Sequence, residues 1–239
     1  SGKPGNEETV KLGIVGATAH PQIDFSKCNN SKFGYATHPV QVVNYVSCHD
    51  DLCLTDKLSK SMPGTTVEER VAVAKLAQTI VFTSQGIPFM FTGEEIFRDK
   101  KGVHNSYNSP DSINAIDWNQ KKEYRDLFDY YKGIINIRKL HPAFRMTTAE
   151  DVAKNLVFDE VNEPNVISYS LKNNANGDSW NEIKVIFNGA TKANVVEIPE
   201  GEWTIVVKDG KADEAGLGTT NGGKLEVAAR TALILARVN

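Results

Sequence analysis

The spacing of apolar and polar positions divides the chain near Pro142. Before that point apolar residues recur at helical intervals in two long stretches. In the first, Thr66 and Glu69 form a capping box, ERVAVAKLAQTIVFTSQG (69–86) follows, and Gly86 stands at the stop position, predicting a helix of about four turns. In the second, EYRDLFDYYKGIINIRKLHP (123–142) carries Leu127, Tyr130, Tyr131, Ile134, Ile135 and Ile137 at mixed three- and four-residue spacing, predicting a helix that ends near His141 and Pro142. Upstream of each helix lies a short β-branched or aromatic run, VVNYV (42–46) and IPFMFT (87–92), which reads as a buried strand feeding a loop. The second of those loops, Phe97 to Asn119, is dense in turn formers. Strand, loop, helix, strand, loop, helix is the order expected in the last quarter of a (β/α)8 TIM barrel. Residues 1–40 offer one short helix candidate, Glu7–Val15, and few hydrophobic anchors after it.

After Pro142 the period changes from helical to alternating. LVFDEV, NVISYSL, IKVIFNG, NVVEIP, EWTIVV and TALILARV are separated by Asn, Gly, Pro and Asp turns, the pattern of an antiparallel β-sandwich. The predicted fold class is therefore α/β plus all-β: the C-terminal part of a barrel over 1–142 and a sandwich domain over 143–239. Trp203 follows a turn and alternates with Ile205, so it is expected inside; Trp180, in the polar NNANGDSWNE, is expected to be a partly exposed anchor.

Composition narrows the function. With 27 basic and 30 acidic side chains in 239 residues the formal charge is only −3, and no Lys/Arg stripe suits nucleic acid. No apolar run approaches the length of a membrane span. The three cysteines, Cys28, Cys48 and Cys53, are odd in number and form no CxxC pair, so neither a disulfide framework nor zinc is expected. The chain begins at Ser1 without an initiator Met, so residues are expected upstream and the lack of a visible signal peptide leaves the compartment open.

Candidate chemistry sits at the strand ends. VVNYVSCHDDLCLTDKL (42–58) finishes an apolar run on His49, Asp50 and Asp51, and the second run finishes on Gly93, Glu94 and Glu95. The C-terminal ends of barrel strands are where that fold places its active sites. Glu94 and Glu95 either shape a cleft or form ion pairs with Arg98 and its neighbours. His104 reads as a surface residue, and Phe128, Tyr130 and Tyr131 as core or interdomain packing.

YVSCHD (45–50), continued as DLCLTDKL, resembles the last conserved region of the α-amylase superfamily, in particular of the type I pullulanases, where it runs roughly YVxxHDNLTLWDK. SQGIPFMFTGEEIFR (84–98) is similar to that family's final barrel strand, GVHNSYNSPDSINAIDW (102–118) to the long loop after it, and SGKPGNEETVKLGIVG (1–16) to a segment upstream. The resemblance implies hydrolysis of α-1,6 linkages in pullulan and branched α-glucans by a retaining mechanism, without an organic cofactor. Other α-glucan hydrolases, of isoamylase or α-amylase type, and a non-catalytic α-glucan-binding protein are the alternatives. The resemblance makes Asp50 the carboxylate that stabilises the transition state, with His49 bonding the same sugar. Asp51 stands where the relatives usually carry Asn, and either alters hydrogen bonding to the sugar or caps the next turn. Tyr107, Asn108, Asp111 and Asn114 either line the glucan cleft or hold the turns of their loop.

The family's nucleophile and general acid have no counterpart here, since Glu7, Glu8 and Asp24 lie in loop and helix-start contexts. The expectation is a C-terminal fragment, inactive alone, whose partners are the α-glucan and the upstream portion of the same enzyme. A polysaccharide-degrading enzyme favours a secreted or cell-envelope location. No run has the oxygen-ligand spacing of a calcium loop.

Overall fold

The computed structural model describes residues 3–238; the first two residues of the predicted barrel portion, which also open the 1–16 segment, and Asn239 lie outside the description. Helix α1 (Glu7–Ile14) forms as predicted, with Glu7 and Glu8 at its positive end. Strand β1 (Val43–Asn44) leads to α2 (Leu54–Ser61) and α3 (Val67–Thr83). The capping box closes reciprocally: Thr66 Oγ1 accepts the Glu69 amide at 3.2 Å, and Glu69 Oε2 accepts the Thr66 amide at 2.9 Å. Strand β2 (Ile87–Pro88) pairs in parallel with β1, Val43 opposite Ile87. Two single turns, α4 (Asp111–Asn114) and α5 (Gln120–Glu123), precede α6 (Arg125–Leu140).

The two strands are shorter and wetter than their composition predicts. Val42 and Ser47 are buried, but Val43 is 49% exposed and Ile87 47% exposed, and Tyr45 and Phe89 beside them also reach solvent. Period two supplies the reason: alternate residues face the chain's own helices, and the others face a side on which the described residues place nothing.

A further helix, α7 (Ala149–Asn155), stands in the stretch read as all-β, its first turn capped by Thr148, whose Oγ1 accepts the Asp151 amide at 3.1 Å. Seven strands then make one antiparallel sheet: β3 (Leu156–Phe158), β4 (Val166–Leu171), β5 (Glu182–Asn188), β7 (Trp203–Lys208), β8 (Lys211–Ala212), β9 (Thr219–Thr220) and β11 (Thr231–Arg237). The remaining pair, β6 (Asn194–Ile198) and β10 (Gly223–Val227), forms a separate antiparallel ribbon. The sheet order is β3-β4-β5-β11-β7-β8, with β9 beside β7. Along β5 and β11 the side chains alternate between two cores. Ile186, Leu233 and Leu235 join Ile198, Val227 and the fully buried Trp203 under the ribbon; Val185, Phe187 and Ile234 join the core shared with the helices. One sheet lies between helices and a two-stranded ribbon, rather than between two sheets of similar size.

The helices and the sheet are joined through buried polar contacts. Arg138 on α6 donates to the carbonyls of Phe82, Ser84 and Gly86 at 2.7–2.8 Å, closing the C-terminal end of α3. His141 Nδ1 lies 2.8 Å from Asp178 Oδ1, both buried, and Asp178 also accepts the amides of Ala143 and Trp180. Those bonds, His141 foremost, hold the Asp178 carboxyl below the usual range although burial alone would raise it. Trp180 stacks on His141 and is only 9% exposed, so the expected surface anchor is a packed one: Asp178 folds the polar turn inward and carries the indole with it. Gly133 lets α6 approach β8, since a Cβ there would lie 2.2 Å from the Ala212 carbonyl oxygen. Among the described residues, no helix is long and apolar enough to cross a membrane.

Candidate functional site

Strand β1 ends at Asn44, and the chain dips inward at Ser47 before His49, Asp50 and Asp51 emerge into solvent. His49 Nε2 lies 3.5 Å from Asp50 Oδ1, with both side chains largely exposed. Asp51 has φ +58, a left-handed conformation that Asn and Asp tolerate better than other side-chain-bearing residues. Its carboxylate meets His104 Nε2 at 2.8 Å, bringing the 97–119 loop against the strand-end loop. His104 is thus exposed, as expected, and also bridges two segments.

On that second loop Tyr107 is 79% exposed, and Asn108 and Asp111 are exposed beside it. Asn114 turns inward: its amide nitrogen donates to the carbonyls of Ser106 and Ser109 at 2.7 and 2.9 Å, and its oxygen accepts from Ser106 Oγ at 3.0 Å. Lys100, buried, also donates to Ser106 Oγ at 2.7 Å. The loop is therefore braced from within while Tyr107, Asn108 and Asp111 face outward.

Beneath the exposed residues lies a polar layer that sequence reasoning missed. Glu94 is 4% exposed and does not pair with Arg98; it accepts from Ser47 Oγ and from Gln78 Nε2, while Arg98 donates to the carbonyls of Thr92 and Asn114. The reason is the turn at Gly93 (φ +98), where the stem of Arg98 occupies the space a Cβ would need. Burial pushes the Glu94 carboxyl up to about 7, against the lowering pull of Ser47, the Phe91 backbone and Gln78, with Glu95 adding to the rise. Because the folded form holds this proton to higher pH than the unfolded chain does, the contribution of Glu94 to stability falls as pH rises from the ordinary carboxyl range toward 7. A protonated-carboxyl infrared band titrating near pH 7 is expected, and it should vanish in Glu94→Gln; a wild-type spectrum without such a band contradicts the assignment.

All three cysteines are free. Cys53, buried, donates to Asp56 Oδ2 at 3.0 Å, and burial followed by that bond pushes its thiol up to about 12, making it a donor rather than a nucleophile. Among the described residues, Cys48, His49 and Asp50 could offer a metal three ligand atoms within 4.8 Å of one another. His49 and Asp50 in that set are largely exposed.

Residues 152–211 match the pullulanase all-beta domain. The likeness extends to the type I pullulanases over most of the chain. A solved pullulanase from Bacillus acidopullulyticus is 38% identical with a TM-score of 0.88, covering 99% of this chain and 27% of that one. The structure of type I pullulanase from Bacillus subtilis strain 168, complexed with maltose, is 28% identical with a TM-score of 0.87, covering 98% of this chain and 32% of its own. Over 152 residues the curated pullulanase of Bacillus subtilis strain 168 is 37% identical, spanning 64% of this chain and 21% of that protein. The chain thus spans between a fifth and a third of the relatives' length.

Proposed function

We propose that the chain is the C-terminal portion of a type I pullulanase that hydrolyses α-1,6 linkages in pullulan and branched α-glucans with retention. Residues 1–142 form the last two βα units of its (β/α)8 barrel, and 143–239 form the all-β domain behind them. The observation that carries this reading is the placement of His49 and Asp50, exposed in the loop that follows a parallel strand, within a chain similar to pullulanases over nearly all its length. The apolar face formed by Val43, Tyr45, Ile87 and Phe89 supports it, because upstream strands of the same polypeptide would cover that face.

On this reading the nucleophile and the general acid come from the upstream portion, and this chain contributes the third carboxylate. The reacting sugar flattens toward an oxocarbenium-like state, and its hydroxyls bind more tightly there than in the ground state. Asp50 accepts hydrogen bonds from those hydroxyls, His49 contacts the same ring, and Asp51 fixes His104 and with it the neighbouring loop. Tyr107 offers an open aromatic face to the apolar side of a sugar, Asn108 and Asp111 offer polar groups, and Asn114 holds the loop that presents them.

Product analysis tests the linkage assignment. Incubated with pullulan, the full-length gene product should release maltotriose. Panose or isopanose would show cleavage of α-1,4 bonds and overturn the α-1,6 reading.

A further inference from the structure

We propose that Glu94 is a positioning residue for the glucan-facing loop: it holds Ser47, Ser47 holds the Leu54 amide, and the resulting buried clasp closes residues 47–54 beneath His49, Asp50 and Asp51. This rests on the reading of Asp50 as the sugar-binding carboxylate.

The clasp is built from buried groups, Ser47, Gln78 and Glu94. Ser47 Oγ donates to Glu94 Oε1 and accepts the Leu54 amide at 3.2 Å, while Gln78 Nε2, from the middle of α3, donates to Glu94 Oε2. Leu54 is the first residue of α2, so the hydroxyl of Ser47 satisfies one of that helix's otherwise unpaired N-terminal amides from seven residues upstream. The two ends of an eight-residue loop are thereby fixed to each other, and Glu94 anchors both to the turn at Gly93 that follows β2 and to α3.

A second tie acts on the far side. Asp56 accepts the amides of Lys100 and Gly102 at 2.7 and 2.8 Å and also receives the Cys53 thiol. With both ends held, the exposed residues between them lose most of the backbone freedom that a loop of this length would have. A carboxylate that must meet specific sugar hydroxyls requires such support, because a displacement near 1 Å can remove most of its effect.

Placing a carboxyl group there is costly, since its hydrogen-bond partners, Ser47 and Gln78, are neutral, and the titratable groups facing it, Glu95 and the buried Tyr131 phenol, bring no positive charge. Retaining it makes sense if its geometry is needed: two oxygens on one rigid plane, one for each partner.

The test is made in the full-length enzyme with Ser47→Ala, Glu94→Ala, Glu94→Gln and the double variant Ser47→Ala/Glu94→Ala. Ser47→Ala and Glu94→Ala should each lower kcat on pullulan by about 10-fold while KM stays within about 3-fold, since the loop is misplaced rather than removed. The double variant should be no worse than the poorer single one, because both break the same clasp. Glu94→Gln should restore most of the rate: its amide oxygen can accept from Ser47, and Gln78 can turn its own unpartnered buried oxygen toward the new amide. Additive losses, or wild-type kcat in Ser47→Ala, would overturn the proposal. If Glu94→Ala fails to fold, Ser47→Ala decides alone. Asp50→Asn assayed in parallel separates the two claims, because wild-type turnover there would overturn the glucan reading itself. In that event hydrogen exchange at the Leu54 amide still decides the clasp: faster exchange in Ser47→Ala supports it, and unchanged exchange overturns it.

Discussion

In the full-length polypeptide Asp50→Asn should lower turnover on pullulan by about 100-fold or more, while KM changes by less than about 3-fold. The substitution keeps shape and volume but exchanges a charged acceptor for a neutral amide. A charge-assisted hydrogen bond is roughly twice as strong as a neutral one, and the difference is largest where positive charge develops on the sugar ring. Because Asp50 is held at a loop tip with its side chain largely exposed, the change should not disturb folding. Equal losses in turnover and binding would make Asp50 a simple binding residue instead.

The second large effect is on stability. Arg138→Ala should cost about 3–5 kcal/mol, because three carbonyl oxygens, those of Phe82 and Ser84 buried and that of Gly86 half-buried, lose a charged side-chain donor. Burial, and then repulsion from Arg145, lowers the guanidinium to about 10, so it remains charged at neutral pH. That charge faces the C-terminal end of α3, where the helix dipole favours a cation. Calorimetry of the full-length protein should show the corresponding transition lowered by roughly 10 °C. Arg138→Lys should recover only part of it, since a compact ammonium cannot span three acceptors as the planar fork does. A shift of less than about 2 °C in Arg138→Ala would show that solvent or a repacked neighbour satisfies the carbonyls.

How much of this was legible beforehand depended on how local each signal was. The capping box at Thr66 and Glu69, the end of α6 at Leu140 and the strands β3, β4, β5, β6, β7 and β11 follow from side-chain spacing, and the structure places them accordingly; β8, β9 and β10, among Gly- and Lys-rich residues, gave no long alternating run to read. Helix α7 was hidden because its residues, AEDVAKN, lie at the head of a β-rich region; the Thr148 to Asp151 cap was the readable signal. Exposure of Val43 and Ile87 was not readable, because a β-branched run does not reveal whether both of its faces are covered. Trp180 misled by its polar neighbours, one of which, Asp178, turns it inward. The exposed acids of the site could be picked out at strand ends, but the buried pairing of Glu94 with Ser47 joins residues 47 positions apart, and no local pattern encodes that contact.

The central claim is that this chain carries the third carboxylate of a pullulanase whose other catalytic groups lie upstream. Reducing-sugar release from pullulan by the purified chain, measured beside the full-length gene product, tests it most directly. Activity confined to the full-length protein is the predicted result. Turnover by residues 1–239 alone would contradict it and would place a complete set of catalytic carboxylates within this chain.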